Sequence, residues 1–168
     1  SQAMEKQSQS NTNLNEFSAK FLEELIEKSY QFVLHLDTQT NILVGLSSAI
    51  FLFSISRFLE VTQDITFLIL AGFAAASALV GLFAIHPPRF MRKRGQEESL
   101  MYHKHIVGFS SPKAYARELL KVIGNKNRIT EEFATEIYNV SKYYYRPKRK
   151  LFHLARNLLL LGILASAA

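Results

Sequence analysis

Apolar and polar positions fall along this chain in three regimes. From Leu14 onward, Leu14, Phe17, Phe21, Leu25, Phe32 and Leu36 recur at three, four or seven residues, backed by Leu22, Ile26 and Val33. Glu16, Lys20, Glu23, Glu24 and Glu27 fill much of the other face. That is the period of an amphipathic α-helix, here over 14–37. No Gly or Pro interrupts residues 14–44, so the spacing predicts one long helix running into the second regime. There, Thr38–Ser56 and Ile65–Ile85 carry no Asp, Glu, Lys or Arg. A hydrocarbon core about 30 Å thick takes about 20 apolar helical residues. Neither stretch keeps the polar stripe of a soluble bundle helix. Both read as membrane spans, over 38–58 and 65–86, and the short link between them makes an antiparallel hairpin.

The third regime is mixed. Pro87-Pro88 ends the second span, since proline cannot continue the helical ladder. Ser111-Pro112 has the form of an N-cap with proline at the first helical position, opening a helix that Gly124-Asn125 closes. Thr130-Glu131-Glu132 opens another, whose stripe Phe133, Ile137, Val140 and Tyr144 ends before Pro147. Residues 97–109 fit helix or strand. A last apolar run, 151–168, is barely long enough to span, contains Arg156 and Asn157, and is expected to be short, tilted or truncated at Ala168. Residues 1–13 are polar and expected to be disordered, with Ser1-Gln2-Ala3 before Met4 an appended remnant. The fold class is an all-α membrane protein: a long N-terminal helix entering a transmembrane hairpin, a small cytoplasmic helical module over 89–150, and a third membrane helix.

Composition changes this picture in two ways. The net charge of +6 over 168 residues is uneven. Residues 1–37 balance to −3, whereas 89–150 hold fifteen Lys and Arg against six Glu, a balance of +9. Arg89, Arg92, Lys93 and Arg94 directly follow the second span while the hairpin link has only Arg57, so the positive-inside rule puts the N-terminus and 89–150 in the cytoplasm. The absence of Cys excludes a disulfide framework, a thiolate metal site and a thiol nucleophile. No phosphate-binding loop, zinc helix, nucleophile elbow or carboxylate pair occurs, which argues against an enzyme. The basic residues sit at membrane flanks, which argues against nucleic acid.

Several groups carry two readings each. The run from Arg89 through Arg92, Lys93 and Arg94, with Arg146, Lys148, Arg149 and Lys150, anchors to anionic headgroups at about 1 kcal/mol per residue, or binds a phosphate; anchorage is favoured. His103, Lys104 and His105 offer contacts to a nucleotide, or simply lie on the surface, and the two histidines share a face only on a strand. Metal binding is disfavoured, with no carboxylate close by. Tyr144, within Tyr143-Tyr144-Tyr145, reads first as an aromatic belt and second as a stacking surface for a pyrimidine. Asp37 is costly unpaired at the interface, so it pairs with the 89–94 run or with another subunit, as simple interface pairing or as a gating contact. Small residues at four-residue spacing (Gly45 with Ala49, Gly72 with Ala76, Ser77 with Gly81) let backbones approach, within the hairpin or between subunits. Arg156 either snorkels to the headgroups or, with Asn157, lines a breach.

The order of these features resembles a known family. Asp37-Thr38-Gln39-Thr40-Asn41-Ile42-Leu43 precedes the first span, and a small-residue-rich second span ends in proline. Gly108-Phe109-Ser110, a Tyr115–Leu120 helix, Glu136-Ile137-Tyr138, Lys142-Tyr143 and a returning apolar helix follow. This resembles the transmembrane effector family of bacterial Pycsar anti-phage defence over about residues 20–165. It departs at Gln39, where a basic residue is usual. The resemblance implies an abortive-infection effector that needs no cofactor: a partner cyclase makes cyclic CMP or cyclic UMP, and the effector, as a homo-oligomer, impairs the inner membrane. On that reading, Arg92, Arg94, His103, Lys104, His105 and Tyr144 are candidate ligand contacts. Asp37, Gly45, Gly72, Ala76, Gly81, Arg156 and Asn157 are candidate membrane and gating positions. The alternative is a membrane adaptor that recruits a protein partner through the N-terminal helix and binds no nucleotide.

Overall fold

The computed structural model describes residues 2–62, 64–91 and 97–167, with side chains at 16–60, 64–91 and 97–167. The elements are α1 (Gln2–Arg57), α2 (Ile65–Ile85), α3 (His103–Val107), α4 (Pro112–Ile123), α5 (Lys126–Asn139) and α6 (Arg146–Ala167). No strand occurs among the described residues. Three helical stretches, Glu16–Glu60, Ile65–Ile85 and Lys126–Ala167, are long and apolar enough to cross a bilayer.

α1 begins at Gln2, not after a disordered segment ending at residue 13. The polar composition that suggested fraying contains no Gly or Pro, so nothing stops the ladder from extending back. Past Arg57 the chain continues as a π turn, Phe58–Thr62, before Asp64 caps α2. The Asp64 side chain accepts from Thr66 N at 2.9 Å.

Residues 126–167 depart most from expectation. Asn125, not Thr130, opens α5, its side chain accepting from the amides of Asn127 (3.0 Å) and Arg128 (3.4 Å). The helix also does not end before Pro147: a π turn, Val140–Tyr145, joins α5 to α6. In an α-helix the Pro147 ring would strike the carbonyl four residues back and remove a hydrogen bond. A π turn just upstream widens the ladder where those bonds are lost and leaves Pro147 in the first turn of α6, where its missing N–H costs little.

The chain divides into two compact units, Ser1–Gln31 with Arg94–Ser141, and Phe32–Lys93 with Lys142–Ala168. The expected 89–150 module is therefore cut at 141, and its last residues belong with the spans. In the first unit, α5 straps the 97–100 segment. Glu132 accepts from Leu100 N at 2.7 Å, buried Glu136 accepts from Ser99 Oγ and from the Tyr30 hydroxyl of α1, and Asn139 Nδ2 donates to Glu97 O at 3.0 Å. These three residues recur every three or four positions and so share one face of α5. In the second unit, the end of α1, α2 and α6 pack around Leu43, Ala74, Ala155 and Leu159, flanked by Ile50, Phe51, Val80 and Phe152.

Candidate functional site

The second unit is tied at one end by a single ammonium group. Lys148 of α6 is 8% exposed, and its Nζ donates to Asp37 Oδ1 of α1 at 2.6 Å and to Ile85 O, the last residue of α2, at 2.8 Å. The last carbonyls of any helix lack intrahelical donors, and a lysine is a common substitute. Pro87 and Pro88 prevent α2 from supplying them by continuing. Asp37 thus has a partner inside its own chain, Lys148 of the second basic cluster. Arg92, Lys93 and Arg94 lie outside the described residues.

Deeper in the bundle, Ser77 Oγ donates to Ala155 O at 2.7 Å and lies 2.9 Å from Ser47 Oγ. A hydroxyl has one hydrogen, so Ser47 donates to Ser77 and the chain of bonds runs from α1 through α2 to α6. The small residues divide by direction. Ala71, Ala74, Ser77, Gly81 and Ala84 form the buried face of α2. A Cβ at Gly81 would lie 2.5 Å from Val44 Cγ2, and one at Gly162 would collide with Phe73. By contrast, a Cβ at Gly45 or Gly72 would meet nothing within 4 Å. Ala76 is half-buried. Close packing within the chain therefore accounts for Gly81 but not for Gly45 or Gly72.

On α6, Arg156 and Asn157 are both exposed, and Arg156 Nη2 donates to Asn157 Oδ1 at 3.1 Å. Because Ser77 bonds Ala155 O, Arg156 lies at the level of Ser77, eight residues or about 12 Å from the Ile85 end of α2. Tyr144, half-buried in the π turn, belongs to this same unit. Its neighbour Tyr145 meets Phe32 at 6.3 Å and lies 6.0 Å under the Arg149 guanidinium.

In the first unit, His103, Lys104 and His105 are on the short helix α3. Helical residues two apart diverge by about 200°, so the histidines do not share a face. His103 and Lys104 are exposed. His105 is half-buried, its Nδ1 3.1 Å from Ser99 O and its ring stacked on Phe109 at 5.3 Å. Tyr115 donates its hydroxyl to Leu100 O at 3.0 Å and packs on the same Phe109. Among the described residues no three His, Asp or Glu side chains converge as metal ligands would.

A family model described as the Pycsar effector protein domain matches residues 21–168. The chain belongs to that family. The match takes in every helix described above, including most of α1, and bears out the resemblance drawn from the order of the motifs. With three helices of membrane-spanning length and composition, membership supports a membrane-localised role as an anti-phage defence effector. No curated protein and no solved structure matches the chain.

The Pycsar pattern residues now have physical roles. Asp37 holds Lys148, Glu136 is the buried acceptor for Tyr30 and Ser99, and Tyr115 caps the Leu100 carbonyl. The sequence reading distinguished Lys148 from Arg146, Arg149 and Lys150 in no way, and placed it among the headgroup anchors. A signal was present: Lys148, Ala155, Leu159 and Gly162 are in helical phase and all buried. Assuming that the helix stopped at Pro147 concealed that phase. Ser47 had no signal of its own, Ser77 stood out only as a small residue and Glu136 only as part of the family pattern, because each bonds to residues 30 or more positions away.

Proposed function

We propose that this chain is a non-enzymatic effector that responds to a cyclic pyrimidine nucleotide, cyclic CMP or cyclic UMP, made by a partner cyclase. It answers by assembling with further copies of itself and impairing the bacterial inner membrane, with its N-terminus and residues 89–150 on the cytoplasmic side. The observation that carries this reading is the family match over 21–168, joined to a bundle whose three spans meet at Lys148. A nucleotide bound between copies by Arg92, Arg94, His103, Lys104, His105 or Tyr144 would act by favouring the assembled arrangement over the resting one. In that assembly the open Gly45 and Gly72 faces meet neighbouring copies, and Arg156 with Asn157 borders the breach. The tie at Asp37 and Lys148, together with the Gly81 contact, would then be remade or kept as the gate.

A second reading draws on the first unit, where Phe17 and Phe21 of α1 are 72% and 56% exposed. An apolar stripe of that kind suits an adaptor that recruits a protein partner and binds no nucleotide. One experiment separates the two. Expressed in bacteria and supplied with cyclic CMP or cyclic UMP, the effector admits a membrane-impermeant dye and arrests growth. An adaptor inserts normally yet leaves permeability unchanged with every cyclic nucleotide tried, and that result would overturn the effector reading.

A further inference from the structure

The outward face of α6 is not apolar, although the helix belongs to the membrane bundle. Arg149, His153 and Asn157 stand one turn apart along it, turned away from the buried Ala155, Leu159 and Gly162, and Arg156 is exposed beside them. Arg149 Nε donates to His153 Nε2 at 3.3 Å, and Arg156 is bonded to Asn157. Beyond Asn157 the same face is Leu160 and Leu164, both exposed. The basic track therefore starts beside the Lys148 tie and stops at the level of Ser77, which lies twelve residues from Ile65 and eight from Ile85. At 1.5 Å per residue those intervals are about 18 and 12 Å, so Arg156 sits near the middle of the bilayer.

A charge at that depth is expensive and needs a partner. An extended arginine side chain reaches about 7 Å, short of the interface. The chain supplies no counter-charge: the sequence has no Asp or Glu between Glu136 and Ala168, none from Thr38 to Leu59, and none from Ile65 to Gln96. The carboxylate at the membrane edge, Asp37, is already held by Lys148. Further copies of the same chain bring no more. The counter-charge must come from outside the protein, and the surroundings of an outward helix face are lipid.

We infer that the Arg149–His153–Arg156–Asn157 face binds lipid headgroup phosphates and draws them about half-way into the membrane, thinning the leaflet on the Lys148 side. Arginine suits this work because its planar fork donates two parallel hydrogen bonds to one phosphate. A face that stops at mid-depth fits one deformed leaflet better than the wall of a water-filled passage, which needs polar groups along its whole length. The inference deepens the membrane-impairing half of the proposed function. It rests on the chain lying in the bilayer but not on the nucleotide, because the face is exposed in the resting chain.

The chain has no cysteine, so Leu160→Cys, exposed one turn beyond Arg156 and outside the proposed contacts, gives a single attachment point for a fluorophore. The protein is reconstituted, without nucleotide, in phosphatidylcholine–phosphatidylglycerol vesicles carrying a spin label on the headgroup or at mid-acyl chain. Headgroup-labelled lipid is expected to quench the probe strongly. Arg156→Gln in the same background should cut that quenching at least about threefold, the effect of one unit charge some 6 Å away even with full aqueous screening, and Arg156→Lys should retain most of it. Quenching by mid-chain label alone, indifferent to Arg156→Gln, would overturn the inference. So would quenching by aqueous iodide without headgroup quenching, which would assign the face to a water-filled passage between copies. Either outcome leaves the nucleotide response to be decided by dye uptake.

Discussion

A lysine beside the membrane edge ordinarily points its ammonium group toward headgroups and water, and Arg146, Arg149 and Lys150 are exposed in this way. Lys148 is turned inward because its helical phase matches the buried Ala155 and Leu159, and two oxygen acceptors await it there. Lys148→Met keeps the volume and the apolar stem but leaves Asp37 and the Ile85 carbonyl without a donor. Removing one member of a mostly buried pair is expected to destabilise the bundle by about 2–4 kcal/mol. Adding Asp37→Asn should cost far less than its effect alone, since the two residues act as one unit. Denaturant titrations of the four proteins in detergent micelles measure both quantities. A loss within about 0.5 kcal/mol for Lys148→Met would mean the pair contributes nothing to the fold.

At the scale of the element, helix ends and interruptions carry the chemistry. The Thr66 backbone amide, then the Thr66 side chain, hydrogen-bond to the Asp64 carboxylate and hold its pKa below the ordinary value of 3.8. A depressed carboxyl pKa favours the capped helix at pH above the ordinary value, and that contribution is lost as pH falls through the lowered one. The protection factors of amides in the first turn of α2, taken relative to the intrinsic exchange rate at each pH, should therefore be high at neutral pH and fall in acid below about pH 4. Asn caps without titrating, so Asp64→Asn is expected to abolish the acid step while keeping protection, whereas Asp64→Ala loses protection at every pH. Hydrogen exchange followed by mass spectrometry reads all three. The existence of α1, α2 and α4 was legible because apolar period, caps and prolines are local signals. Continuity across Pro147 was not, because only a π turn reconciles the proline with a helix on both sides, and a π turn leaves no periodic mark in the sequence.

At the scale of the whole molecule, close packing and free surface are separated by single residues. Gly162 lies under Phe73, whereas Gly72, one position before it on α2, faces open space. Gly162→Leu is expected to weaken folding of the individual chain by over-packing, by about 1–3 kcal/mol. Gly72→Leu should leave that stability nearly unchanged and instead reduce self-association in membranes, read by chemical cross-linking with and without the cyclic nucleotide. Unchanged cross-linking in Gly72→Leu would remove this face from the proposed assembly.

The sequence alone determined the helical class, the three membrane helices, the uneven charge and the family resemblance. All of these follow from near-neighbour properties: how often an apolar residue recurs, how long a charge-free run lasts, where proline stands. The tertiary structure decided which glycines are covered, which of several basic residues meets Asp37, and that Arg156 lies level with Ser77. These depend on how the faces of α1, α2 and α6 are set against one another, and that follows from packing among side chains far apart in the chain.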